Sequence, residues 1–174
     1  MTTIIFVTGM EETGMDTIID MVLKGSRKKM SNPKHIRFKG VIPETSARGA
    51  TDAAKKAAEK FRSTVEKDVS NSLKAGMNVV VEGPLTLKTA MGYIPLVPRD
   101  FFESFSPDVI ILFELPPNSP AGIDWKQQEI NRAYASMYAS LTGAALKVIE
   151  VGRDRVKDAI RDSTRVMVSV LGEG

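Results

Sequence analysis

Cysteine is absent from the 174 residues, histidine occurs only at His35 and tryptophan only at Trp125. The missing thiols remove thiolate nucleophiles, zinc–thiolate sites and disulfide frameworks, and they fit a reducing compartment such as the cytoplasm. A lone imidazole in a lysine-rich stretch, in a chain without a GxSxG elbow, also sets aside histidine-rich metal sites and Ser-His-Asp hydrolases. No apolar run reaches the roughly 18 residues that a membrane-spanning helix needs, and the opening MTTIIFVTGM carries no basic leader. Nor does charge of one sign dominate. With 24 Lys+Arg against 21 Asp+Glu, the overall field does not mark a nucleic-acid binder. What is there is an ordinary globular composition, 43% apolar, in one expected domain over residues 1–174. A chain of this length can bury about 70% of its unfolded surface without a metal or disulfide staple.

Apolar patterning gives the fold class. The run Thr3 to Thr8 is β-branched and stops at Gly9, as expected of a strand buried on both faces of a parallel sheet. Ile18, Ile19, Val22 and Leu23 then form a short helical stripe, and a second strand is expected near His35 to Phe38. From Thr51, the residues Ala54, Ala58, Phe61, Val65, Val69 and Leu73 recur at steps of three and four, with Gly76 placed to end the helix. Further strands are expected at Asn78 to Val81, Val109 to Phe113 and Leu146 to Val151. Asp124, with Gln127 as its capping partner, opens a helix whose expected buried stripe is Ile130, Ala133, Tyr134, Met137, Tyr138 and Leu141. A last helix carries Val156, Ile160, Met167 and Val170 on one side. Strands alternating with helices predict a three-layer α/β/α sandwich around a five-stranded parallel sheet.

The first strand-to-helix turn carries the chemistry. Gly9 and Gly14 stand at the separation of GxxxxGK[ST], a loop whose backbone N–H groups surround a phosphate while a lysine and a hydroxyl hold the outer phosphates and Mg²⁺. Here Met15 stands in the lysine place and Asp16 in the hydroxyl place, with Thr17 one position late. Glu11, Glu12 and Asp16 add negative charge where a polyphosphate needs positive charge. Like charges about 5 Å apart at an effective dielectric near 20 repel by roughly 3 kcal/mol before solvent screening. The bland alternative is that the two glycines only make a tight turn.

The order of segments resembles the archaeal-type adenylate kinases. Val7-Thr8-Gly9 through Thr17 is similar to that family's VTGxPGxGKST, and Lys88-Thr89-Ala90-Met91-Gly92-Tyr93-Ile94-Pro95-Leu96-Val97-Pro98 is similar to its RTxxGYLPGLP. The likeness continues through Ser106 to Ile110, the strand ending at Glu114, and Tyr134 to Val151. The resemblance implies a P-loop nucleoside monophosphate kinase-like fold, trimeric assembly, and ATP, Mg²⁺ and AMP as ligands. It also implies a nucleotide site of Gly9, Thr13, Gly14, Thr17 and Glu82, a metal-orienting role for Glu82, and phosphate contacts from Lys88 and Arg132; the charge of Asp16 offers a second attraction for Mg²⁺. The lid stretch 115–125, reading LPPNSPAGIDW, contains no arginine or lysine. Phosphoryl transfer depends on positioned positive charge, so the expectation is a degenerate homologue. It would bind a monophosphate weakly or not at all and act as a noncatalytic, homo-oligomeric partner.

Two alternatives follow from the same residues. One is an active ATP:AMP phosphotransferase that uses relocated cations, with Lys88 and Arg132 as candidates. The other is a nucleic-acid-binding module working through Lys24 to Lys39, which holds seven Lys or Arg and no acid. A solvated loop and edge strand that keep the sheet soluble are the preferred explanation of that basic stretch. Trp125 could stack on a base or simply pack.

Overall fold

The computed structural model describes residues 1–39, 49–120 and 122–172. In chain order the strands are β1 (Ile4–Gly9), β2 (Lys34–Arg37), β3 (Val79–Glu82), β4 (Thr86–Thr89), β5 (Gly92–Pro95), β6 (Val109–Glu114) and β7 (Ala145–Glu150). The helices are α1 (Met15–Gly25), α2 (Gly49–Phe61), α3 (Lys67–Lys74), α4 (Arg99–Phe105), α5 (Trp125–Thr142) and α6 (Val156–Leu171). Five strands form one sheet in the order β2-β3-β1-β6-β7, with every pairing parallel. Helices cover both sides, so the expected three-layer sandwich is the fold.

Each central strand is buried on both faces, which explains its unbroken apolar sequence. Ile4, Phe6, Val79, Val81, Ile110 and Leu112 point to the side of α2 to α5, where Phe61, Val69, Phe101, Phe102 and Tyr138 complete one core. Ile5, Val7, Val80, Ile111 and Phe113 point the other way, against Met15, Ile18, Ile19 and Val22 of α1 and Ala159, Met167 and Leu171 of α6. Edge-to-face contacts link Phe6, Phe102, Phe101, Phe61 and Phe38 from the middle of the sheet to its β2 edge. Each such pair adds about 1 kcal/mol beyond simple burial.

Three expectations need correction. The helix from Thr51 is continuous in direction but contains a π-helical segment, Arg62–Glu66, between α2 and α3. In α5 the buried residues are Asn131, Ala135, Tyr138 and Ala139, while Ala133 is exposed and Met137 and Leu141 are 42% and 47% exposed. The small Ala135 and Ala139 let this helix lie close to the sheet, and Tyr138 stacks on Phe102 at 3.9 Å. Asn131 tolerates burial because the Thr86 hydroxyl donates to its side-chain oxygen at 2.5 Å. In α6 the buried line is Ala159, Ser163, Met167 and Leu171, with Val156 turned out. The stretch between β3 and β6, to which patterning assigns no strand or helix, forms the antiparallel β4–β5 hairpin and α4.

The chain leaves β1 toward α1 on one side of the sheet, whereas β6 leads to α5 on the other. Such a divergence opens a crevice at the carboxyl end of β1.

Candidate functional site

The loop after β1 shows why two glycines are needed at that separation. A Cβ on Gly9 would meet the Phe113 carbonyl oxygen at 2.7 Å, so only glycine lets the chain leave β1 this close to β6. Gly14 adopts φ 66°, ψ 27°, a left-handed conformation that turns the chain into α1. Between them Glu11–Thr13 forms a 3₁₀ turn. The Thr13 N–H and hydroxyl both donate to the Met10 carbonyl, at 3.1 and 2.6 Å, and the Gly14 N–H donates to Glu11 O at 3.0 Å. The Thr17 N–H donates to the Asp16 carboxylate at 2.8 Å. Three of the loop's amides are therefore turned onto the loop itself. Met15, in the lysine place, is 7% exposed and packs into the core beneath α1.

A cleft of about 560 Å³ opens between this loop, the ends of β2 and β3, the β4–β5 hairpin and α5. Gly9, Asp16 and Glu82 line it; Thr13, Gly14, Thr17, Lys88 and Arg132 do not. Its ionic lining is Glu11, Glu12, Asp16 and Glu82 against Arg37 and Lys39. Thr86, Gln127 and Asn131 supply neutral polar groups, with Gln127 Nε2 donating to Thr86 O at 3.2 Å.

Glu82 is 1% exposed, and its carboxylate is shared by two side chains of the neighbouring strand. His35 Nε2 lies 2.7 Å from Oε2, and Arg37 donates through Nε to Oε1 at 3.0 Å and through Nη2 to Oε2 at 3.3 Å. The parallel register sets Arg37 directly beside Glu82. Arg37 Nη2 also reaches Asp20 Oδ1 at 3.0 Å and the Asp16 carbonyl at 3.5 Å. Burial works to lower the Arg37 pKa, but the Glu82 and Asp20 carboxylates outweigh it and hold the value above its ordinary level.

The two candidate phosphate-binding cations are each held by an acid of the chain. Lys88, on β4, donates to Asp124 Oδ2 at 2.6 Å, and the Tyr93 hydroxyl donates to the same carboxylate at 2.9 Å. Asp124 also caps α5 through the Gln127 N–H at 3.0 Å. The hydrogen bond from Lys88, helped by Gln127 and Tyr93, outweighs desolvation and lowers the Asp124 pKa to about 2. Arg132 donates through Nε at 2.8 Å and through Nη2 to Glu114, which is 4% exposed at the end of β6. That pairing raises the Arg132 pKa.

In the basic stretch, His35 and Arg37 turn toward Glu82, with Arg37 exposed on its outer side, and Lys24, Arg27, Lys28, Lys29 and Lys34 are exposed. Trp125, at the start of α5, is 37% exposed and does not line the cleft. Of the lid stretch, Ala121 lies outside the described residues.

The sequence reading missed Arg37 and Lys39 as cleft cations, together with Thr86, Gln127 and Asn131. A signal existed for Arg37. In the alternation His35-Ile36-Arg37-Phe38, the apolar pair faces one core, so the basic pair must face the other side, level with the acid that ends the adjacent strand.

No protein-family model matches the chain. The chain is 26% identical to the adenylate kinase of Methanopyrus kandleri, over 96% of this chain and 98% of that protein. It is 24% identical to the adenylate kinase of Thermococcus onnurineus, over 98% and 97%, and 23% identical to that of Thermoplasma volcanium, over 92% and 97%. Among solved structures it aligns with shikimate kinase from Bacteroides thetaiotaomicron at 13% identity, over 95% of this chain and 98% of that one, with a TM-score of 0.44. The chain is thus similar to archaeal adenylate kinases along nearly its whole length. Among the described residues, no helix is long and apolar enough to cross a membrane.

Proposed function

We propose that this relative of the adenylate kinases is a catalytically impaired nucleotide kinase-like protein of the cytoplasm, acting as a noncatalytic partner and binding a nucleoside monophosphate weakly at most. One observation carries the reading: the phosphate-loop lysine is missing, and the two cations that the family resemblance assigns to phosphate are spent. Met15 stands buried in the lysine place, and Lys88 and Arg132 are held by Asp124 and Glu114. Recruiting either cation to a phosphate means breaking an ion pair first. Entry of a triphosphate would also set its charge against Glu11, Glu12 and Asp16 across the cleft.

Mg²⁺ does not fit the residues near Glu82. Both oxygens of Glu82 already accept from Arg37 and His35, and the Asp16 carboxylate accepts from the Thr17 N–H. The exposed apolar side chains Met137 and Leu141 on α5 and Val148 on β7 support association with further copies of the chain, the trimer that the family resemblance implies.

A coupled assay with ATP, Mg²⁺ and AMP tests the reading, alongside calorimetric titration with ATP, ADP and AMP. We expect no turnover and AMP binding no tighter than millimolar. Turnover at about 1–100 per second, the ordinary kinase range, would overturn it.

A further inference from the structure

We infer that Arg37 is a resident cation: its guanidinium holds the place between β3 and α1 that a divalent ion would otherwise take, so the cleft works without a metal. The surroundings of the guanidinium are the reason. It is bound by oxygens from three points of the chain, the Glu82 carboxylate at the end of β3, the Asp20 carboxylate on α1, and the Asp16 carbonyl in the first turn of α1. Carboxylate and carbonyl oxygens are the donors that hard divalent ions select. Here they converge on a side chain, and a guanidinium cannot lose its charge within the working pH range.

The arrangement is fixed by the fold. Arg37 and Glu82 are register partners in adjacent parallel strands, so the pair forms whenever β2 docks on β3. His35, two residues earlier on the same face of β2, donates the second contact to Glu82 and lies 3.9 Å from Asp20. Two carboxylates are thereby matched by one permanent cation and one imidazole. Among the described residues, no group of three His, Asp or Glu side chains is arranged to hold a metal. The guanidinium, donating to both, joins Glu82 to Asp20. Removing it leaves Glu82, buried, facing Asp20 with only His35 between them, a set that lowers its repulsion by taking up a divalent cation.

This inference concerns the cation and not the nucleotide, so failure of AMP to bind would leave it standing. The test uses the full chain, with Mn²⁺ as the probe, and reads free Mn²⁺ by electron paramagnetic resonance together with the thermal unfolding midpoint. Wild-type protein should bind Mn²⁺ no more tightly than Glu82→Gln. Arg37→Gln should bind it at least tenfold more tightly than wild type and unfold at a higher temperature in its presence, and the double variant with Glu82→Gln should lose both effects. Arg37→Lys keeps a cation and should behave as the wild type. The inference is overturned if wild-type protein binds Mn²⁺ at least tenfold more tightly than Glu82→Gln. It is equally overturned if folded Arg37→Gln gains no affinity. Should Arg37→Gln not fold without metal, recovery of the folded state on adding Mn²⁺ supports the inference, and failure to recover overturns it.

Discussion

Two buried carboxylates flank the end of β1, and they are neutralised in different ways. Glu82, ending β3, is 1% exposed and is held from the side by two residues of the adjoining strand, His35 and Arg37, whose side chains are 22% and 33% exposed. Glu114, ending β6, is 4% exposed and is held by Arg132, a long side chain from α5 that is itself 60% exposed. One pair belongs to the sheet and the other is a strap from a covering layer. The difference teaches that position in the layers, more than the burial of the acid, decides how readily the ion pair can be opened. A ligand that draws Arg132 away has one side chain to displace from Glu114, whereas freeing Glu82 means displacing two, Arg37 and His35, which the β2–β3 register sets beside it.

The comparison can be broken, or made sharper, by four measurements. Replacing Arg37 with Ala leaves Glu82, which is 1% exposed, with one imidazole; removing the partner of a buried carboxylate costs about 3 kcal/mol, although the Arg37 side chain is itself 33% exposed. In a chain of this size that lowers the thermal unfolding midpoint by about 10 °C; a change under 2 °C would show that the pair contributes nothing to the sheet. Met15→Lys with Asp16→Ser restores the residue types of a working phosphate loop but places an ammonium where the side chain is 7% exposed. We expect this double variant to lose about 2 kcal/mol of stability and to gain no ATP affinity in calorimetry. Tight ATP binding by it would mean that the loop amides turn outward easily. Arg132→Ala should cost about 1 kcal/mol by urea denaturation, because removing a side chain that is 60% exposed opens the buried Glu114 to water. A cost equal to that of Arg37→Ala would erase the distinction between sheet and strap.

The smallest effect is in pH. Asp124 has a folded-state pKa of about 2, below the ordinary carboxylate value. A depressed folded pKa gives stability that is present above pH 4 and lost as pH falls from about 4 to 2. Urea midpoints measured across that window should converge for wild type and Asp124→Asn, with the wild type ahead only at the upper end.

The layered fold was legible because two-sided burial writes itself into β1, β3 and β6 as unbroken apolar runs. The hairpin was not legible: Thr86 to Pro95 offers only two four-residue strands, too short to separate from turn chemistry by period. The buried face of α5 was misjudged because large apolar residues draw attention, whereas close packing on the sheet selected Ala135 and Ala139. In the candidate site, the loop and its missing lysine could be read locally. The partners of the cations could not. Lys88 meets an acid 36 residues away, Arg37 one 45 residues away, and only the folded chain brings them together.

Trp125 gives the molecule a built-in reporter. It is the only indole in the chain, and it directly follows Asp124, the residue to which Lys88 and Tyr93 tether the hairpin. Its emission reports on the helix start where that tether is anchored, while the phenylalanine chain that spans the sheet stays spectroscopically silent. A fluorescence melt that precedes the far-ultraviolet circular dichroism melt would time the opening of the cleft's rim separately from the collapse of its floor.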